Sequence, residues 1–511
     1  MSDHQTNLIH LLEGAGLTLL NLLITIGLGL VLAPYIAQTL GDRLYGINYF
    51  VGTFVGCFAI LDFGIDSAVS RYFVLHFSKG ERKECVDIAN TAFYLFIGIG
   101  TVGFVLMSLI GWGIFVLNPN MEDRELFLLV ILIHALVFAL NFPLRALHGI
   151  INGTMRQDLT ASREVFFKIF GATLSFLVLY VSSGGRVGLI GLACVGLVIV
   201  FLDIFVLYRL VYKVFPDFVF SPSFYQQELL RKLLSFGSYT FLVFVGDTLS
   251  TKGAIFVLSA MLSFEATTPY ALVSVNLSTY YFGVMTTIGG GWLITWFTYL
   301  HANGEKELLA MSMRFSYKIC AYSASFMLFG LLVWSPDFIV RWVGEDYLIA
   351  YPSLVLLSLF VWISQIQAPN TKLLFALAKH SVLSYLTLVG GILNVTLSVV
   401  LVWYGWGMNG VAFSAFLIET IVRGIVIPIY VRHLLNENIV VYYLRLLFYV
   451  TIAAIAWIVP AIISWALLAP NYPRLFLVGG LSVLTYVPVI YFLGFNAKER
   501  AELQKRLRRS R

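Results

Sequence analysis

Apolar runs of roughly 18 to 25 residues recur from about Leu17 to Leu493, and a helix of that length crosses a bilayer core of about 30 Å. The runs are continuous, whereas a membrane strand would alternate with a period of two. Hydrocarbon gives backbone groups no partner, so each run must close its own hydrogen bonds as a helix. The pattern predicts spans beginning near residues 17, 46, 88, 126, 167, 188, 236, 269, 316, 351, 381, 410, 446 and 474. The fold class that follows is an all-α polytopic membrane protein with about 14 transmembrane helices.

Landmarks within these spans repeat. Tyr45 opens the second span and Tyr270 the eighth; Pro143 lies late in the fourth and Pro369 late in the tenth; Gly188 and Gly191 open the sixth as Gly407 and Gly410 open the twelfth. Six spans per half preserve orientation, so the halves are expected to be parallel repeats. The expected organisation is a short cytoplasmic segment over 1–16, a six-helix bundle over 17–215, a cytoplasmic linker over 216–235, and a second bundle over 236–435. Two additional helices over 436–494 and a basic tail over 495–511 complete it.

Charge orients the spans. With the N-terminus in the cytoplasm, 26 of the 33 Lys and Arg fall on the cytoplasmic loops and tail and 5 on the opposite loops, leaving Lys252 and Arg423 within spans. That bias places both termini inside. The tail from Lys498 to Arg511 supplies nearly all of the formal net charge of +6, so the basic balance points to anionic headgroups and not to nucleic acid. The chain is 59% hydrophobic and 12% charged, against about 25% charged in soluble domains. Arg43 is the first basic residue, so no cleavable signal is expected. Cys57, Cys85, Cys194 and Cys320 are dispersed, which indicates neither a disulfide framework nor a metal site, and no cofactor is implied.

The stretch Leu40-Gly-Asp-Arg-Leu-Tyr-Gly46 is followed by Leu61-Asp-Phe-Gly-Ile-Asp-Ser-Ala68, Arg71-Tyr72 and a Lys79-Gly80-Glu81 turn. Together with Leu377-Ala-Lys379, Asn394 and Gly407-Met-Asn-Gly410, it resembles the O-antigen flippase (Wzx-type) polysaccharide transporters of the multidrug/oligosaccharidyl-lipid/polysaccharide exporter (MOP) superfamily. The resemblance implies a MATE-like fold, an inner-membrane location, a cavity lined by helices 1, 2, 7 and 8, and a role in lipopolysaccharide or exopolysaccharide assembly. Its implied partners are an undecaprenyl-diphosphate-type lipid-linked oligosaccharide, membrane lipids, and a polysaccharide polymerase with chain-length proteins.

An ionisable group inside a span is costly unless paired or wet, so each one is a candidate site. His134, Asn141, Arg145 and His148 recur at helical spacing within roughly 60° of one another, forming either a seam or a cavity wall. Lys252 points about 140° from Asp247 on the same helix, so the two are not an intrahelical pair; Lys252 needs a partner elsewhere or a hydrated lumen. Asn21 lies on a small and polar side of helix 1, and Asn276 and Tyr280 belong to the polar-aromatic run of helix 8. Glu419 and Arg423 stand at i and i+4, the favourable order for a pair on one face. Asp62 and Asp66 share that spacing at the cytoplasmic end of helix 2, with Arg71 beyond them, and are read as caps and interfacial anchors or as a gate or cation site.

An anionic diphosphate needs cations and a sugar needs polar walls, while a polyprenyl tail can stay in lipid; the expected function is therefore flipping without covalent chemistry and without catalytic residues. A cation-coupled multidrug exporter would use Asp62, Asp66, Asp203, Asp247 and Glu419 instead. A membrane enzyme of polysaccharide assembly would need a larger external loop than the one near 336–350, and Gly289-Gly-Gly291 lacks the Lys-Ser/Thr of a phosphate-binding loop. Reporter fusions after Arg511 and within the 118–125 loop should give opposite answers; the same side for both would overturn the topology.

Overall fold

The structure is a computed structural model. It describes residues 3–500 except 64, 120, 155, 231–237, 289–291, 378, 467–471 and 498. The end of the basic tail and the Gly289–Gly291 run lie outside the described residues.

Among the described residues every regular element is helical. The chain divides into two compact units, Met1–Thr268 and Pro269–Arg511. The first holds α1 (Asp3–Leu40), α2 (Asp42–Cys57), α3 (Ile65–Ser78), α4 (Arg82–Leu117), α5 (Arg124–Asn141), α6 (Leu144–Gly153), α7 (Gln157–Ser182), α8 (Gly185–Val214) and α9 (Ser238–Met261). Then come α10 (Phe264–Pro269), at the division, α11 (Asn276–Ile288), α12 (Trp292–Ala302), α13 (Lys306–Trp342), α14 (Tyr351–Ile366) and α15 (Ala368–Ala376). The second unit continues with α16 (His380–Trp403), α17 (Gly407–Glu419), α18 (Ile427–Leu435), α19 (Ile439–Ala466) and α20 (Tyr472–Val489).

Thirteen helices among the described residues are long and apolar enough to cross a membrane, and each coincides with a span read from hydropathy. The expected eighth span falls on the helical stretch 264–288, about 37 Å at 1.5 Å per residue. Ser274, Asn276, Ser278 and Thr286 dilute its apolar average. The outward faces are apolar, with Leu109, Leu117, Trp403 and Leu484 exposed, as lipid contact requires. Several helices outrun their apolar cores: α4 has 36 residues and α13 has 37. Their first turns, Arg82-Lys-Glu84 and Lys306-Glu307, are charged, so hydropathy alone places the start too late.

Three interior breaks have identifiable causes. Pro143 lacks an N–H, and the fourth span is interrupted between α5 and α6. Pro369 does the same beside Gln367, between α14 and α15. In the second span α2 tightens over Phe58–Asp62, Phe63 turns left-handed at φ 50, and α3 restarts at Ile65. Asp62 and Asp66 therefore flank a break and do not stack on a continuous helix.

The repeat reaches into the loops. Before α4, Gly80 adopts φ 76 and the turn closes with Glu81 N–H donating to the His76 carbonyl at 3.0 Å and Arg82 N–H to that of Gly80 at 2.9 Å. Before α13, Gly304 adopts φ 71, and Glu305 and Lys306 donate to Leu300 and Gly304 at the same distances. The left-handed glycine is what permits both turns. The linker after α8 is docked in its first part: Asn90 Nδ2 donates to the Val219 carbonyl at 2.9 Å, and Gln226 Nε2 donates to Asp87 at 2.5 Å.

Gly46 permits close approach within the first unit, since a Cβ there would run into the Phe264 backbone. Gly52, on the same helix, has open space around it. Gly46→Val should cost about 1–3 kcal/mol by overpacking, read as a lower detergent melting temperature and membrane level, while Gly52→Val stays near wild type. Equal behaviour of the two variants would refute the contact.

Candidate functional site

Most of the sequence-derived residues fall at four polar places, three in the first unit and one in the second. On α1, the Asn21 side-chain amide donates to Glu164 at 2.8 Å, and Lys168 Nζ donates to Asn21 Oδ1 and to Thr25 Oγ1, each at 2.8 Å. The helix that answers α1 is α7, whose first turns read as loop because of their charges. Glu164 and Lys168 stand at i and i+4, facing one polar side of α1; that spacing was the available signal.

The second group surrounds the Pro143 break. Arg145 lies 3.4 Å from Asp62 and its guanidinium packs over the Phe142 ring at 4.7 Å. Asp66 follows on α3, part-buried, so two carboxylates face one guanidinium here. His148 is near both Arg145 and Arg163, with no hydrogen-bond partner for Nε2 among the described residues. Arg163, from α7, donates to Asp203 of α8 at 2.5 and 2.6 Å with little of either side chain exposed. That buried pair accounts for Asp203, and sequence reasoning missed Arg163 by assigning it to a loop. The break separates the four-residue stripe of the fourth span: His134 Nδ1 meets the Val130 carbonyl at 2.9 Å, and exposed Asn141 donates to that of Val137 at 3.1 Å. Both are local contacts on their own helix. Arg71 is exposed on α3.

Lys252, on α9, is half-buried, and its Nζ lies 2.6 Å from where a Cβ would stand at Gly56. Glycine at 56 makes room for the ammonium. Among the described residues no carboxylate comes within the 4 Å of an ion pair with Lys252. Asp247 is also half-buried, with its carbonyl accepting from Thr251 Oγ1 at 2.7 Å.

In the second unit Arg423 donates to Ser364 at 2.8 Å and lies 3.5 Å from buried Glu419. Glu419 closes α17, and Arg423 lies in the following stretch, Thr420–Val426, wound to π geometry. Pro428 has no N–H for the Gly424 carbonyl, which accepts from the Tyr443 hydroxyl at 2.7 Å instead. Lys372, on α15, lies near Arg423, so two cations stand together at this place. Asn276 and Tyr280 are half-buried at the start of α11. Among the described residues no group of His, Cys, Asp and Glu is disposed to hold a metal ion.

A family model described as "Polysaccharide biosynthesis protein" matches residues 11–288, more than half of the chain. The chain belongs to this family. It is similar to the uncharacterized membrane protein EpsK of Bacillus subtilis (strain 168), 22% identical over 503 residues that cover 96% of each chain. Its fold matches the lipid II flippase MurJ in an inward closed conformation at TM-score 0.67 and 14% identity, covering 93% of this chain and 98% of that one. It also matches an inward-facing multidrug resistance MATE family transporter of the MOP superfamily at TM-score 0.62 and 15% identity, covering 83% and 98%. The resemblance to polysaccharide transporters of that superfamily is thus borne out for family and fold.

Removing one partner of a buried pair leaves an uncompensated charge, at a cost of about 3–5 kcal/mol, whereas apolar replacement of both can be neutral. Arg163→Ala and Asp203→Ala should each reduce membrane level and melting temperature, and Arg163→Met with Asp203→Leu should recover both. A normal single variant would show that the pair is dispensable.

Proposed function

We propose that this family member is a flippase that moves an undecaprenyl-diphosphate-type lipid-linked oligosaccharide across a bacterial-type inner membrane by alternating access, for surface polysaccharide synthesis. The observation that carries the reading is Lys252, a cation on a membrane helix without a carboxylate in ion-pair range among the described residues. An ammonium in a span costs at least a few kcal/mol unless paired or hydrated, and a passing diphosphate would supply the pairing. The fold shared with MurJ, named a lipid II flippase, supports the same reading. Asn21, His134, Asn141, His148, Asn276 and Tyr280 are assigned to sugar or lumen contacts, and Arg71 and Arg423 to reserve cations.

Arg145 shares its charge with Asp62, which gives it a gating part. The Asp62–Arg145 contact can open and close with the break in helix 2, and Asp66 is the carboxylate in excess, the best candidate for cation coupling. Asp247 and Glu419 are further coupling candidates. Both termini face the cytoplasm on the positive-inside bias; a polymerase and chain-length proteins would receive the flipped product.

Loss of the protein should leave lipid-linked oligosaccharide on the cytoplasmic leaflet and deplete surface polysaccharide. A deletion strain that lacks the intermediate altogether would point to an enzyme upstream, and efflux of cationic dyes without oligosaccharide binding would point to a multidrug exporter. A unit charge pair about 4 Å apart at an effective dielectric near 20 is worth on the order of 4 kcal/mol before desolvation. Lys252→Ala should accordingly lose most transport at normal membrane level while Lys252→Arg keeps much of it; Arg145→Ala should lose more than Arg145→Lys. Abundant, fully active alanine variants would remove both residues from the substrate path.

A further inference from the structure

In the second unit, where α13 and α19 begin and α18 ends, a pocket of about 140 Å³ is lined by Arg314, Tyr317, Arg432, Glu437, Tyr442 and Arg445, among others. We propose that it is a binding site for a phosphate headgroup, that of an anionic phospholipid in the leaflet at this end of the unit. The site is separate from the cations assigned above to the transported substrate.

Arg432 is built into the pocket, with its side chain 4% exposed. It pairs with Glu437, donates to the Tyr317 hydroxyl at 2.8 Å and to Asn370 Oδ1 at 3.0 Å, and lies over the Tyr442 ring at 4.7 Å. Its buried Nε has no hydrogen-bond partner among the described residues. Asn370 is fixed in turn by Gln367, whose Oε1 accepts from Asn370 and from the Tyr442 hydroxyl at 2.7 Å each. The guanidinium is therefore held in one orientation before any ligand arrives.

Charge is unbalanced at this pocket. Arg314 lies 3.6 Å from Glu437, the carboxylate already taken by Arg432. Arg445 is exposed and has no ion-pair partner among the described residues. Lys318 nearby is matched by Glu499 at 2.7 Å and so contributes no excess. Three guanidinium groups thus share one carboxylate, and the arginine fork matches phosphate oxygens geometrically.

The surface beside the pocket selects the source of that phosphate. Leu444, Leu447 and Phe448 flank Arg445 on α19 and are exposed, and Ile455, Ile458 and Ile462 continue the apolar face along the same helix. A headgroup in the pocket would have its acyl chains on this face, whereas a soluble anion would gain nothing from it.

The test uses the full-length purified protein, with phosphatidylglycerol, phosphatidylcholine and inorganic phosphate as probes. Native mass spectrometry should show phosphatidylglycerol retained over phosphatidylcholine by about tenfold or more. Arg314→Gln with Arg445→Gln should abolish the preference without changing the melting temperature in lipid-free detergent, because neither side chain is buried. Arg432→Lys should weaken retention as well, since an ammonium cannot reproduce the fork. Equal retention of the two lipids, or a preference that survives the double substitution, would overturn the proposal. Displacement of phosphatidylglycerol by millimolar inorganic phosphate, with the same thermal shift from phosphate alone, would assign the pocket to a soluble anion and overturn the lipid as its source.

Discussion

Hydrocarbon accepts no hydrogen bonds, and most of this chain's architecture answers that one constraint. The backbone satisfies it by winding into helices; the side chains satisfy it by meeting across helices. Asn21 with Glu164 and Lys168 joins α1 to α7, Arg163 with Asp203 joins α7 to α8, and Arg145 with Asp62 joins the fourth span to the second. Each contact removes a charge or an amide from lipid and in doing so fixes which helices are neighbours. The docked linker follows the same rule, since Asn90 and Asp87 on α4 are paired with chain beyond α8.

The breaks are where the same constraint is met by other means. A proline or a left-handed residue interrupts the helical ladder, and polar side chains gather beside the interruption: Arg145 and Asp62 around Pro143 and Phe63, Gln367 and Asn370 around Pro369, and the Tyr443 hydroxyl opposite Pro428. Irregular backbone at membrane depth is tolerated only inside protein or against water. These positions are therefore also where a helix can bend without exposing an unpaired carbonyl.

The sequence made the spans, their order and the family legible because apolar length is a strong and local signal. Helix starts were less visible: α7, α4 and α13 begin in charged turns that hydropathy assigns to loops, which is how Arg163, Glu164 and Lys168 escaped notice. Pairing was less visible still. Asp203 had no assignable role because its partner is 40 positions earlier, on another helix. The four-residue stripe over His134 to His148 followed ideal helical spacing, and the interruption at Pro143 changed which neighbours its last two members meet. The Tyr317, Asn370 and Arg432 knot joins residues far apart in the chain, and no periodicity could have assembled it.

The glycine turns at Gly80 and Gly304 close between equivalent positions at the same lengths, in the matching stretches Gly80-Glu-Arg82 and Gly304-Glu-Lys306. Each turn opens a helix longer than a bilayer core requires, α4 and α13, so one backbone step starts both. Around these turns the side chains differ: the first unit joins helices through pairs such as Arg163–Asp203, and the second encloses an interior that includes Tyr322, Tyr449 and Trp457.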